Sequence, residues 1–119
     1  MSEAGKYFRL TERGYAHWCP ACEEIHLAPH NGWTFNNDLD FPTFTPSLKH
    51  TGIQTINKDG RWTGEWVLDQ NKKPIPMCCH YFIKNGVIQY QNDCTHDFKN
   101  KHVALMPIPY SDLKEGMDY

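Results

Sequence analysis

The segment CCHYFIKNGVIQYQND, residues 78–93, constrains the fold of this chain more than any other. Two runs of alternating apolar and polar residues flank Asn85-Gly86, the pair that most favours a two-residue hairpin turn. Such a turn sets the pairing: Lys84 opposite Val87, His80 opposite Gln91, Cys78 opposite Asp93. Successive side chains of a strand point to opposite faces. Cys79, Tyr81 and Ile83 therefore share a face with Ile88 and Tyr90. Cys78, His80 and Phe82 share the other with Gln89, Gln91 and Asp93. The first set is apolar and predicts the core side, so Cys79 points inward and His80 outward.

The rest of the chain reads in the same way. Residues 7–10 and 15–18 form a first hairpin, followed by a Cys-Pro-x-Cys turn. Residues 32–35 are extended and 36–40 turn-like. In FPTFTPSL, Pro42 and Pro46 remove ladder donors and hold the preceding residues extended, which predicts a rigid loop or edge strand. Residues 51–76 read as a hairpin-like excursion around an aromatic run. Residues 94–99 form a helical turn and 103–106 a last strand. With 119 residues, eight glycines, eight prolines and no helical periodicity, the expectation is a mainly β fold: a small compact antiparallel domain of hairpins with a zinc knuckle and little helix. It spans residues 1–110, with a loose tail at 111–119.

Charge and hydropathy narrow the partners. A net charge of -2 with scattered Lys and Arg gives no electrostatic footprint for nucleic acid. No run approaches the roughly 20 apolar residues of a membrane span, and MSEAGKYFRL lacks the apolar centre of a leader. A cytoplasmic protein is expected, and five cysteines there point to metal or catalysis before disulfides.

Cys19 and Cys22 lie in a C-x-x-C turn, and three residues separate Cys22 from His26. Zinc takes four thiolate or imidazole ligands in a tetrahedron, and a tight C-x-x-C turn offers two on one side. Since the hairpin aims Cys79 inward, the expected structural zinc set is Cys19, Cys22, His26 and Cys79, with Cys94 as substitute for the last. Two reduced core cysteines are the plain alternative. A redox pair is disfavoured, because the motif opens no clear helix to lower a thiol pKa.

On the outward face, His80 and Asp93 are diagonal neighbours across the hairpin, about 7–8 Å apart at the backbone and within side-chain reach. An Asp that orients a His is half of a hydrolytic triad. His96 could replace or assist either. Ser47, stiffened by the prolines before it, is the candidate nucleophile. Cys78 and Cys94 are rivals, and Thr43 and Thr45 weaker ones. The plain alternative is a surface His–Asp pair and a turn-capping serine. His17, His30, His50 and His102 read as ordinary surface or loop histidines.

Taken in order, CPACEEIH, WTFNNDLDFPTFTPSL, CHYFIKNGVIQYQNDCTHDF and VALMP resemble a small domain-of-unknown-function family, DUF6527, of phage and bacterial proteins. Its pattern is CPxCxxxH, an aromatic-Asn-Asp stretch leading to PTFSPS, CH-x-F, and DCTH or DSTH. The resemblance covers about residues 19–107 apart from 51–76. Some relatives accompany bacterial ubiquitin-like conjugation operons and are regarded as serine-type proteases. The resemblance thus implies a peptidase acting on a protein or peptide, with Ser47, His80 and Asp93 or His96 at the matching polar positions. Thr45 stands where the family often has Ser. Cys alternating with Ser in DCTH implies that Cys94 is no required ligand. The expected function is a zinc-stabilised serine hydrolase, in the host cytoplasm if phage-encoded. The rivals are a non-catalytic module that blocks or recruits a host factor, and a zinc hydrolase built on His80, His96 and Asp93.

Overall fold

A computed structural model describes residues 2–110, with the backbone alone at Ser2. The tail expected at 111–119 lies outside the described residues. Among the described residues eleven strands run in chain order: β1 (Ser2–Ala4), β2 (Phe8–Leu10), β3 (Gly14–Cys19), β4 (Glu24–Pro29), β5 (Thr34–Phe35), β6 (Phe44–Ile53), β7 (Thr55–Lys58), β8 (Arg61–Trp66), β9 (Pro76–Lys84), β10 (Val87–Tyr90) and β11 (His102–Ala104). All pairings are antiparallel, and there is no helix among the described residues. The fold is all-β, as expected.

The Asn85-Gly86 hairpin sits at its centre. Both turn residues have positive φ, 51° and 79°, as a type I′ turn requires, and Lys84 pairs with Val87. Around it the strands order β11-β10-β9-β6-β5, while β1-β2-β3-β4 form a second sheet. The inner faces meet in one core: Phe8, Cys19 and Ala28 from the second sheet against Phe44, Leu48, Cys79, Tyr81, Ile83, Ile88 and Tyr90. The alternation in β9 and β10 therefore sorts as the pattern predicts.

Several elements differ from expectation. The proline-rich segment is neither a loop nor simply an edge: β6 pairs with β9 along its length and with β5 at Phe44 and Thr45. Its prolines fit because Pro42 precedes the strand and Pro46 falls in a bulge, where the ladder needs no donor. Residues 51–53 belong to this strand; the separate excursion is the two-stranded sheet β7–β8. A strand, β4, follows the C-x-x-C turn directly and closes a hairpin with β3. Residues 94–99 run as turns, with Asn100 in left-handed backbone at φ 64°. The last strand is His102–Ala104. No helix of the described residues is long and apolar enough to cross a membrane.

Candidate active site and metal centre

The outward face of β9 brings three of the candidate residues together. His80 lies opposite Lys49 of β6. Between Phe44 and Leu48 the β6–β9 register shifts: four steps along β6 match two along β9, from Ile83 to Tyr81. This bulge carries Thr45, Pro46 and Ser47, and it delivers the Ser47 hydroxyl to His80, with Oγ 2.9 Å from Nε2. Trp33 braces the bulge, its Nε1 donating to the Ser47 carbonyl at 3.2 Å.

Asp93 reaches His80 from the other side. The hairpin pairing extends to Gln91, whose N–H donates to the His80 carbonyl at 2.8 Å. It does not extend to Asp93 opposite Cys78, as the counted register would have it. The chain turns at 91–94, the Cys94 N–H donating to the Gln91 carbonyl at 3.4 Å, and Thr95 bonds Cys78 instead. That turn folds the Asp93 carboxylate back, its oxygens 3.0 and 3.1 Å from His80 Nδ1. A carboxylate accepts only, so Nδ1 carries the proton and Nε2 presents its lone pair to the Ser47 hydroxyl. Lys49 Nζ stands 3.4 Å from the same carboxylate. What desolvation there is opposes ionisation, but the hydrogen bonds from His80 and Lys49 hold the Asp93 carboxyl below the ordinary carboxylate range.

Two of the rival nucleophiles, Cys94 and Thr43, are engaged elsewhere. Cys94 is buried, its Sγ accepting from the His80 N–H at 3.3 Å and donating to the His80 carbonyl at 3.2 Å. The Cys78 thiol is raised by desolvation and by the charge of Asp93. Thr43 caps Asn85, accepting its N–H at 2.9 Å.

On the inward face, Cys19, Cys22, His26 and Cys79 converge with ligand atoms all within 4.8 Å of one another. The C-x-x-C turn closes the β3–β4 hairpin, and Cys79 arrives from the facing sheet. Their chemistry fits a tetrahedral thiophilic metal. Cys19 and Cys79 Sγ are 3.8 Å apart, against an edge of about 3.8 Å for a tetrahedron of zinc–sulfur bonds. The cysteines are free thiols. His26 Nε2 is buried with no hydrogen-bond partner among the described residues, an orphan that a metal would satisfy. Burial opposes it, yet hydrogen bonds from Cys22 and Cys79 draw the Cys19 thiol well below its ordinary range; Cys22 and Cys79, donating to it, are raised. One thiolate held by neighbouring protons is the arrangement a dication replaces.

His96 belongs to this side, not beside Ser47. It accepts the Phe98 N–H at Nδ1, 3.2 Å, so Nε2 carries the hydrogen directed at Cys79 Sγ, 3.3 Å away. Cys79, Cys94 and His96 form a second potential ligand group that shares Cys79. His17 and His50, expected at the surface, also pack here. His17 is fully buried, donating from Nδ1 to the Tyr15 carbonyl and accepting the Tyr81 hydroxyl at Nε2, 2.6 Å. His50 stacks on His26 with centroids 4.0 Å apart. Desolvation first, then the neighbouring His26, lowers His17 to about 4 and His50 to about 3, so both rings are neutral at pH 7.

Sequence reasoning missed Lys49, Trp33 and the sulfur-facing role of His96. The β6–β9 register would have found Lys49, but nothing local in the sequence encodes it. Residues 1–91 match a family model described as bacterial ubiquitination-like system serine protease (BubE). The span includes Ser47, His80 and the four Cys/His ligand candidates and stops short of Asp93. No curated protein and no solved structure matches.

Proposed function

The chain belongs to the bacterial ubiquitination-like system serine protease family, and from that premise we propose that it is a serine peptidase acting through Ser47, His80 and Asp93 on a protein substrate, a ubiquitin-like protein or a conjugate of one. The observation that carries this reading is the unbroken chain of hydrogen bonds, Ser47 Oγ to His80 Nε2 to Asp93, at 2.9 to 3.1 Å.

The chemistry follows from the tautomer. His80 Nε2 takes the hydroxyl proton as Ser47 Oγ attacks the scissile carbonyl carbon, and the carbonyl oxygen becomes an oxyanion. Asp93 holds the ring in line and balances the imidazolium. Collapse of the tetrahedral adduct breaks the C–N bond, and the proton on Nε2 passes to the leaving amine. Water, deprotonated by His80, then cleaves the acyl-Ser47 ester and frees the acid and Ser47. Cys19, Cys22, His26 and Cys79 would hold a structural zinc. It would supply cross-linking of the two sheets, and four protein ligands would leave no position open for substrate.

The test is labelling with an alkyl fluorophosphonate, read by intact mass and peptide mapping. A single adduct on Ser47, absent from Ser47→Ala and His80→Ala, is expected. Folded, metal-loaded protein that takes no label at Ser47 would sink the hydrolase and favour a non-catalytic binding module.

A further inference from the structure

Beside Ser47 the sheet has an open edge. The fifth strand is short and covers β6 only at Phe44 and Thr45. From there to Ile53, β6 is paired with β9 alone among the described residues. Main-chain groups alternate in direction along an antiparallel strand. The Gln54 N–H donates to the Ile75 carbonyl, and His80 turns its carbonyl away from β6, to Gln91. The even residues of β6, Leu48, His50 and Gly52, thus face β9 as hydrogen-bonded partners of Tyr81, Cys79 and Met77. The odd ones face away: the Ser47 carbonyl meets Trp33, and Lys49 and Thr51 direct their N–H and C=O groups to the open side. No strand pairs with them among the described residues, and Lys49, Thr51, Gly52 and Ile53 are exposed.

An unpaired edge is a template for another strand, and natural proteins usually cover or blunt one. Here it runs straight from the candidate nucleophile. Resting on the serine-hydrolase reading, we infer that the β6 edge from Ser47 to Ile53 binds an extended peptide segment of the substrate as an added strand, which threads the scissile bond to Ser47. Main-chain pairing of this kind gives affinity with little demand on side-chain identity. β5 and Trp33 block the strand edge on the other side of Ser47, so pairing lies on one side of the scissile bond. The substrate is therefore a protein with a flexible, strand-forming segment or tail, not one cut within a folded loop. Phe82, 39% exposed and 6.4 Å from His80 between ring centroids, lies on the face over which the reacting residue must pass. It favours an apolar or small residue there over a charged one.

The probes are an alkyl fluorophosphonate and an N-capped pool of mixed-sequence tetrapeptidyl phosphonates, compared by their second-order rates of Ser47 labelling. The peptide arm should speed labelling of the wild type at least tenfold. Methylating its amides one at a time should cancel the gain at alternate positions, the period of strand pairing. Thr51→Pro removes one edge N–H and no β6–β9 hydrogen bond, a substitution edge strands tolerate. It should lower the ratio of peptidyl to alkyl labelling about tenfold, while Thr51→Ala retains it. The inference fails if the alkyl probe labels Ser47 but the arm adds nothing, or if the methyl scan shows no alternation. It also fails if the free protein is a dimer that Thr51→Pro splits, since a second copy then owns the edge. If neither probe reaches Ser47, the hydrolase reading fails and this inference with it.

Discussion

Cys79 and His80 are consecutive residues of one strand, and they live in different chemical worlds. Cys79 is fully buried among thiols and aromatic rings between two sheets. His80 is a quarter exposed at its side chain and faces a carboxylate and a hydroxyl at the surface. The pleat alone separates them, since neighbours along a strand point to opposite faces. The inner cluster draws on strands distant in sequence and ties the sheets together. The outer one needs only the positions of β6 and the turn after β10. The turn residues 93–96 serve both: Asp93 bonds His80, and His96 faces Cys79. The comparison teaches that damage should spread in one direction. Loss of the inner cluster removes the support of β9 and with it the outer site, whereas loss of an outer side chain leaves the inner cluster whole.

The largest expected effect lies on the outer face. Ser47→Ala or His80→Ala should lower hydrolysis by at least about 10⁴-fold, because triad members act as a unit. Asp93→Asn should cost about 10³- to 10⁴-fold by favouring the wrong tautomer. Metal content and melting temperature should stay near the wild-type values in each. A variant that lost metal along with activity would break the proposed one-way dependence.

Next comes the inner face. Cys79→Ser, or stripping with a strong chelator, should release one zinc per chain and lower the melting temperature by well over 10 °C, since binding free energy at such a site is folding free energy. Labelling of Ser47 should fall in parallel. Elemental analysis beside thermal melts decides the matter: one zinc per chain is expected, and stable folding without metal would reduce the cluster to packed thiols. A subtler cut is His96→Ala, which removes the N–H directed at Cys79 sulfur. Partners of metal ligands typically set 10- to 100-fold in affinity. Competition with a chromophoric chelator should show that loss, and His96→Gln, which restores a donor, should recover part of it.

How much of this was legible in the sequence differs between the two faces. Asn85-Gly86 with its alternating flanks gave the β9–β10 pairing and the inward aim of Cys79 from local chemistry alone. Asp93 was placed near His80 by a register that ends at Gln91, and it arrives there through a turn the residue pattern did not show. Ser47 was singled out by its stiff surroundings, but the bulge that brings it to His80 is a property of the β6–β9 pairing, which spans some thirty residues of chain. His17 lies deeper than its sequence neighbourhood suggests, for a physical reason. β3 is buried on both faces, with Trp18 and Ala16 under Ile25 and Ile108 while His17 and Cys19 enter the space between the sheets. A strand covered on both sides loses the alternation that reports burial.

The smallest expected effect concerns Lys49, which joins the two faces of the comparison least. Its ammonium lies 3.4 Å from Asp93, but both side chains are well exposed, and exposed pairs contribute little to stability. The sign is still testable. Asp93 has a folded pKa below its ordinary 3.8, so its ionised form is favoured by folding. That contribution is complete above the unfolded value and is lost as pH falls through the folded one. Lys49→Met removes one of the two partners that depress it. The variant should melt slightly below wild type at pH 7, and the two should converge under acid conditions as Asp93 protonates in both. A gap that persists once Asp93 has protonated in both would mean that Lys49 acts through its packing on β6, not through its charge on Asp93.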